Sequence, residues 1–137
     1  MKENNEIFTV VPIGYVVENA DVCVINIKDE FKDGLLNLDL FSHIIILFWF
    51  HLKDTIDDRK VLQVHPHRNM NLPLVGVFAS RSPSRPNPIG LSVAKLIGVK
   101  DNIIITEKID AWVGTPIIDI KPYLPHIDLI PDAIAPW

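Results

Sequence analysis

Cysteine is nearly missing from this chain. Cys23 is the only one in 137 residues, which excludes an internal disulfide and a cysteine-rich zinc site and fits a reducing compartment. Long apolar runs are missing too, since the longest, Ile44 to Phe50, is far short of the roughly 20 residues that a membrane-spanning helix needs. The first residues, Met1 to Glu6, are polar and of mixed charge, unlike a secretory leader, so a cytoplasmic protein is expected. No Gly-x-Gly-x-x-Gly occurs, which removes the Rossmann fingerprint, and no long amphipathic helix pattern is present. Acid is missing from one segment. Arg59 to Lys100 holds seven Lys and Arg and no Asp or Glu, whereas residues 1–58 hold 4 Lys against 11 Asp and Glu, and residues 101–137 hold 2 Lys against 6. A chain with a net charge of −4 is a poor general binder of DNA or RNA. A local basic stretch can still seat a phosphate or a carboxylate.

What is present reads as β-structure. An apolar share of 48% against 22% charged excludes disorder, and a chain of this length buries about two-thirds of its unfolded surface, enough for one domain spanning residues 1–137. Phe8 to Val17 and Val22 to Lys28 are Val- and Ile-rich around the turn Glu18-Asn19-Ala20-Asp21, which predicts a hairpin. His43 to His51 is the central strand, apolar enough to be buried on both faces. Leu74 to Ala79, Leu91 to Lys100, Asn102 to Lys108 and Pro116 to Ile120 complete a set of about seven strands. Only Glu30 to Leu40 reads as helical, and Gly34 keeps it short. The expectation is an all-β fold, a small closed or nearly closed barrel with one short helix.

The most unusual stretch is Arg81-Ser82-Pro83-Ser84-Arg85-Pro86-Asn87-Pro88-Ile89-Gly90-Leu91-Ser92. Its prolines fix their own φ and push Ser82, Arg85 and Asn87 away from helix, so the loop is stiff. A stiff loop has little ordering entropy left to lose on binding, which suits a pre-organised polar pocket. A rigid connector is the competing reading, but two arginines and an Asn-Pro inside the acid-free segment favour binding.

These residues carry a family resemblance. Phe41-Ser42-His43 ahead of the apolar strand, Val75-Gly76-Val77-Phe78-Ala79-Ser80 running into Arg81 to Ser92, and Gly114-Thr115-Pro116-Ile117-Ile118-Asp119-Ile120-Lys121-Pro122-Tyr123 together resemble the TrmO family, also called TsaA-like or YaeB. The resemblance covers most of residues 7–134. It implies a dimeric β-barrel methyltransferase that uses S-adenosylmethionine to methylate N6 of threonylcarbamoyladenosine beside the anticodon of certain tRNAs. Val113 stands where the family carries Asp.

S-adenosylmethionine presents a carboxylate, an ammonium, an adenine and a sulfonium. The cofactor candidates are Arg81 or Arg85 for the carboxylate, Asn87 to read adenine and Phe78 or Leu91 to line its face, with Ser82, Ile89 and Ser92 beside them. Asp119, Lys121 and Tyr123 alternate along an extended segment and would share one face, with Asp119 as proton acceptor and Tyr123 as orienting group; a salt-bridged strand end is the plainer reading. Arg59, Lys60, Arg68 and His43 are the substrate-binding candidates. His65-Pro66-His67 lacks further ligands of matching type and reads as polar loop, so no metal is expected. The tail Leu124 to Trp137 is too apolar for a free end and too Pro-rich for a helix or central strand, which predicts a homodimer with the site near the subunit boundary. Two other readings stay open: a methyltransferase of small molecules, and a non-catalytic barrel binding S-adenosylmethionine or RNA.

Overall fold

The computed structural model describes residues 6–137; most of the polar leading segment Met1 to Glu6 lies outside the described residues. Among the described residues eight strands follow one another: β1 (Gly14–Asn19), β2 (Val22–Ile27), β3 (His43–Trp49), β4 (Gln63–Val64), β5 (Val75–Gly76), β6 (Ile89–Lys100), β7 (Ile103–Glu107) and β8 (Pro116–Pro122). Six of them close into a barrel in the order β1-β2-β7-β6-β3-β8, while β4 and β5 pair separately. All barrel pairings are antiparallel. The expected closed all-β barrel is therefore present, with six strands in its wall. Val75–Gly76 is all that the expected Leu74–Ala79 strand contributes, because the chain turns into a 3₁₀ coil at Val77–Ala79.

Alternation explains the core. Ile44, Ile46 and Phe48 of β3 are buried, together with Val16, Cys23, Ile25, Ile27, Ala94, Leu96, Ile104 and Ile117. Each buried Ile contributes about 1.5–3 kcal/mol relative to exposure. Burial pushes the Cys23 thiol above its ordinary pKa, a shift that a hydrogen bond with Thr106 partly opposes, so this cysteine is an inert core residue. Gly90 is required by packing: a Cβ there would run into the rings of Phe48 and Phe50.

Further expectations are corrected. β3 is not buried on both faces, since His43, Ile45, Leu47 and Trp49 are only half-buried; a single-layer barrel has an inside but no second layer to cover its outside. The helix expected over Glu30–Leu40 is a pair of 3₁₀ segments, Asp29–Leu35 and Leu38–Leu40, separated at Asn37 with φ 64°. The first strand begins at Gly14 rather than Phe8, and Ile7 and Phe8 lie exposed, having no neighbouring strand in register to bury them. Two one-turn helices complete the fold, α1 (Ile56–Arg59) and α2 (Pro125–Asp128). The second forms inside the tail that reads as too Pro-rich for helix, because Pro125 occupies the first turn, where a missing N–H costs nothing.

Candidate functional site

The outer face of β6, β3 and β8 is built in rows. Leu47 is in register with Leu91 on one side and Asp119 on the other; Ile45 stands between Val93 and Lys121, and His43 opposite Lys95. Tyr123 N–H donates to the His43 carbonyl at 3.0 Å, and the two rings meet edge-on at 6.4 Å between centroids. With strands about 4.8 Å apart, the backbones of Leu91 and Asp119 are about 10 Å from each other across β3. The expected common face of Asp119, Lys121 and Tyr123 thus coincides with that of Ile89 and Leu91. Ser92 is different, being in register with buried Ile46, which turns it to the opposite side of the sheet.

Asp119 is engaged within its own strand. Its Oδ2 lies 2.8 Å from Lys121 Nζ, and its Oδ1 accepts from Ile120 N–H at 2.9 Å. The hydrogen bond and charge of Asp119 hold the Lys121 ammonium above its ordinary pKa. A carboxylate has about four acceptor directions, so two remain for another donor.

The loop Ser80 to Pro88 leads into β6 at Ile89, which pairs with Trp49 at the end of β3. Its two arginines divide their labour, which their spacing does not reveal. Arg85 Nη1 donates to the carbonyls of Ser80 at 3.0 Å and Ser82 at 3.2 Å, so its guanidinium stitches the loop to itself. Ser80 Oγ donates to the Val77 carbonyl and accepts from Ser82 N–H. Arg81 is exposed and makes no ion pair or hydrogen bond among the described residues. Phe78, 81% exposed, leaves its ring free to meet a flat ligand. Asn87 is also exposed, and its carbonyl accepts from Ile89 N–H at 2.7 Å while Phe50 N–H anchors the Pro88 carbonyl.

The substrate candidates separate likewise. Arg59 is clamped: its Nε lies 2.9 Å from Asp54 Oδ1, with its side chain 39% exposed, and its guanidinium stacks 5.5 Å from the Trp49 ring centroid. The Arg59–Asp54 contact is an ion pair without hydrogen-bond alignment. Trp49 Nε1 donates to the other oxygen of Asp54 at 3.0 Å. Arg59 therefore ties α1 to the end of β3. Lys60 and Arg68 are exposed. His67 and Arg68 both have positive φ, 56° and 55°, and His65 Nδ1 is bonded to the Leu72 carbonyl at 2.9 Å.

Sequence reading missed one group altogether. Asp58 Oδ1 accepts from Ser84 Oγ at 2.7 Å, and its Oδ2 accepts from Thr55 Oγ1 at 2.8 Å. Thr55 in turn accepts from Asp58 N–H as the N-cap of α1. These hydrogen bonds, Ser84 first and then Thr55, hold the Asp58 carboxyl below its ordinary pKa, with a smaller contribution from Lys53. The available signal was Thr55-x-x-Asp58, the spacing of an N-cap and its third helical residue.

Comparison with known proteins agrees with this architecture. Residues 6–129 match the tRNA-methyltransferase O N-terminal domain family. A protein of Methanocaldococcus jannaschii named "Probable S-adenosyl-L-methionine-binding protein" is 50% identical over 117 residues, covering 85% of this chain and 93% of its own length. The tRNA (adenine(37)-N6)-methyltransferase of Escherichia coli is 43% identical over 109 residues, which is 77% of this chain and 46% of that enzyme. The crystal structure of TrmO from Pseudomonas aeruginosa superimposes with a TM-score of 0.73 at 29% identity, over 96% of this chain and 62% of that one. The chain thus spans about half to two-thirds of those two longer proteins.

Proposed function

This chain belongs to the tRNA-methyltransferase O N-terminal domain family, and from that premise we propose that it binds S-adenosylmethionine and transfers its methyl group to N6 of an adenosine in tRNA, threonylcarbamoyladenosine beside the anticodon. The observation that carries the reading is the Arg85-stitched loop, which leaves Arg81 unengaged and runs directly into β6, whose Leu91 begins the Leu91–Leu47–Asp119 row. Arg81 suits a ligand carboxylate, to which a guanidinium can fork two parallel hydrogen bonds. Phe78, Ile89 and Leu91 supply exposed apolar surface for adenine. The donor set fits the cofactor.

Bound S-adenosylmethionine supplies an electrophilic methyl group on a sulfonium. The residues here do the rest. The pre-stitched loop holds one end of the ligand so that the nucleophilic nitrogen can approach in line with the bond that breaks. A methylated N6 would have a proton to give up, and Asp119, with two acceptor directions unused, would be placed to take it. Lys121 keeps that carboxylate oriented, and Tyr123 against His43 closes the lower edge of the face.

The face is open, which is the argument for a second copy. The candidate residues stand on the outside of a barrel, and methyl transfer in the absence of water needs a cover. The tail beyond β8 keeps Ile127, Leu129, Ile130 and Ile134 exposed, Ile134 at 98%, a strip suited to an interface. A homodimer with the cofactor site at its boundary reconciles the two. Lys60 and Arg68 suit the phosphates of tRNA, with His43 at the lower edge of the face. Calorimetry with S-adenosylmethionine, S-adenosylhomocysteine and ATP tests the cofactor assignment: the first two bind and ATP does not, whereas preference for ATP refutes it.

A further inference from the structure

Asp58 and Ser84 lie 26 residues apart in sequence and meet in a half-buried hydrogen bond of 2.7 Å. On the Asp58 side the contact is referenced to the barrel. Trp49 ends β3, Asp54 and Arg59 bind its ring, and α1 carries Asp58 with Thr55 fixing its second oxygen. On the Ser84 side the contact enters the loop between Pro83 and Arg85. The loop is anchored at its far end by the Phe50 N–H to Pro88 carbonyl bond, 2.7 Å long, while the Arg85 bonds are internal to it. Internal bonds fix a loop's shape but not its placement. The near end is anchored as well, since Ser80 is tied to Val77, which is buried and donates its N–H to the Leu62 carbonyl. The Ser84–Asp58 bond is the side-chain contact that holds the span between these two anchors, Arg81 included, against α1.

We propose that Asp58 is a positioning residue for the cofactor loop, acting through Ser84 to hold the span that carries Arg81 against α1 and the barrel. The inference rests on the reading of that loop as the S-adenosylmethionine cradle. A charged acceptor makes the brace stronger than a neutral pair would, and a loop held before binding loses less entropy on binding.

The test is a double-mutant cycle read by calorimetry with S-adenosylmethionine on the full chain. Asp58→Asn and Ser84→Ala should each raise Kd about tenfold, the double variant should raise it no further, and Ser84→Thr, which keeps the hydroxyl, should stay within about twofold of wild type. If Asp58→Asn does not fold, Ser84→Ala and Ser84→Thr carry the comparison, since a hydroxyl lost only from a packing role would not be restored to function by threonine. Wild-type affinity in Ser84→Ala, or equal loss in Ser84→Ala and Ser84→Thr, overturns the brace while leaving the cradle standing if Arg81→Ala still weakens binding. Additive losses in the double variant overturn the coupling of the two residues. Failure of the wild type to bind overturns the cradle and the brace with it.

Discussion

Leu91 and Asp119, on strands β6 and β8, flank Leu47 of β3 in a single outward row. That row joins the end of the Pro-rich loop to the polar edge formed by Asp119, Lys121 and Tyr123. Residues separated by 28 positions in sequence are thereby presented to one ligand-sized area.

The two loop arginines should fail differently. Arg81→Ala removes an exposed group with no partner among the described residues, so S-adenosylmethionine affinity should fall by the roughly 1.5–3 kcal/mol of a charged hydrogen bond, with the melting temperature unchanged. Arg85→Ala breaks the bonds to the Ser80 and Ser82 carbonyls and should lower both. Calorimetry paired with thermal unfolding separates them; identical profiles would refute the division of roles.

Binding of tRNA should weaken steeply with salt, and replacing Lys60 and Arg68 with Ala should flatten the slope of log affinity against log salt by about one to two phosphate equivalents. Arg59→Ala should instead destabilise the fold, since the Asp54 ion pair and Trp49 stacking vanish. An unchanged slope in the Lys60 and Arg68 double variant would remove them from the RNA surface.

Acid should dissolve the brace at Asp58. Its folded pKa lies below the ordinary carboxyl value, so its stabilising contribution is complete above the unfolded pKa and is lost as pH falls through the folded one. Thermal melts of wild type and Asp58→Asn should therefore differ near neutrality and converge below the ordinary carboxyl range. A gap that persists in strong acid would show that Asp58 acts through something other than its charge.

Light scattering at low micromolar concentration should report a dimer that is lost on deleting Ile134 to Trp137. A wild-type monomer with unimpaired S-adenosylmethionine binding would contradict both the dimer and the shared site.

Much of this was legible in the sequence, for local reasons. Val- and Ile-rich runs broken by Glu18 to Asp21 mark antiparallel strands, and the alternation of Asp119, Lys121 and Tyr123 follows from strand geometry alone. The roles of Arg81 and Arg85 were not legible, because which guanidinium turns back onto a carbonyl depends on the folded path of the loop. Arg59 looked like a free cation since its partners, Asp54 and Trp49, belong to the acidic and apolar stretches before it. The Asp58–Ser84 bond was hidden by the 26 residues between its ends. The outer face of β3 was misjudged because an apolar run is the same whether its second face meets a helix layer or another molecule.

The most direct test of the central claim is transfer of a labelled methyl group from S-adenosylmethionine to tRNA carrying threonylcarbamoyladenosine, followed by nucleoside analysis. Label is expected on N6 of that nucleoside, greatly reduced by Arg81→Ala. Tight S-adenosylmethionine binding with no label in any tRNA, at enzyme concentrations where the dimer forms, would contradict it.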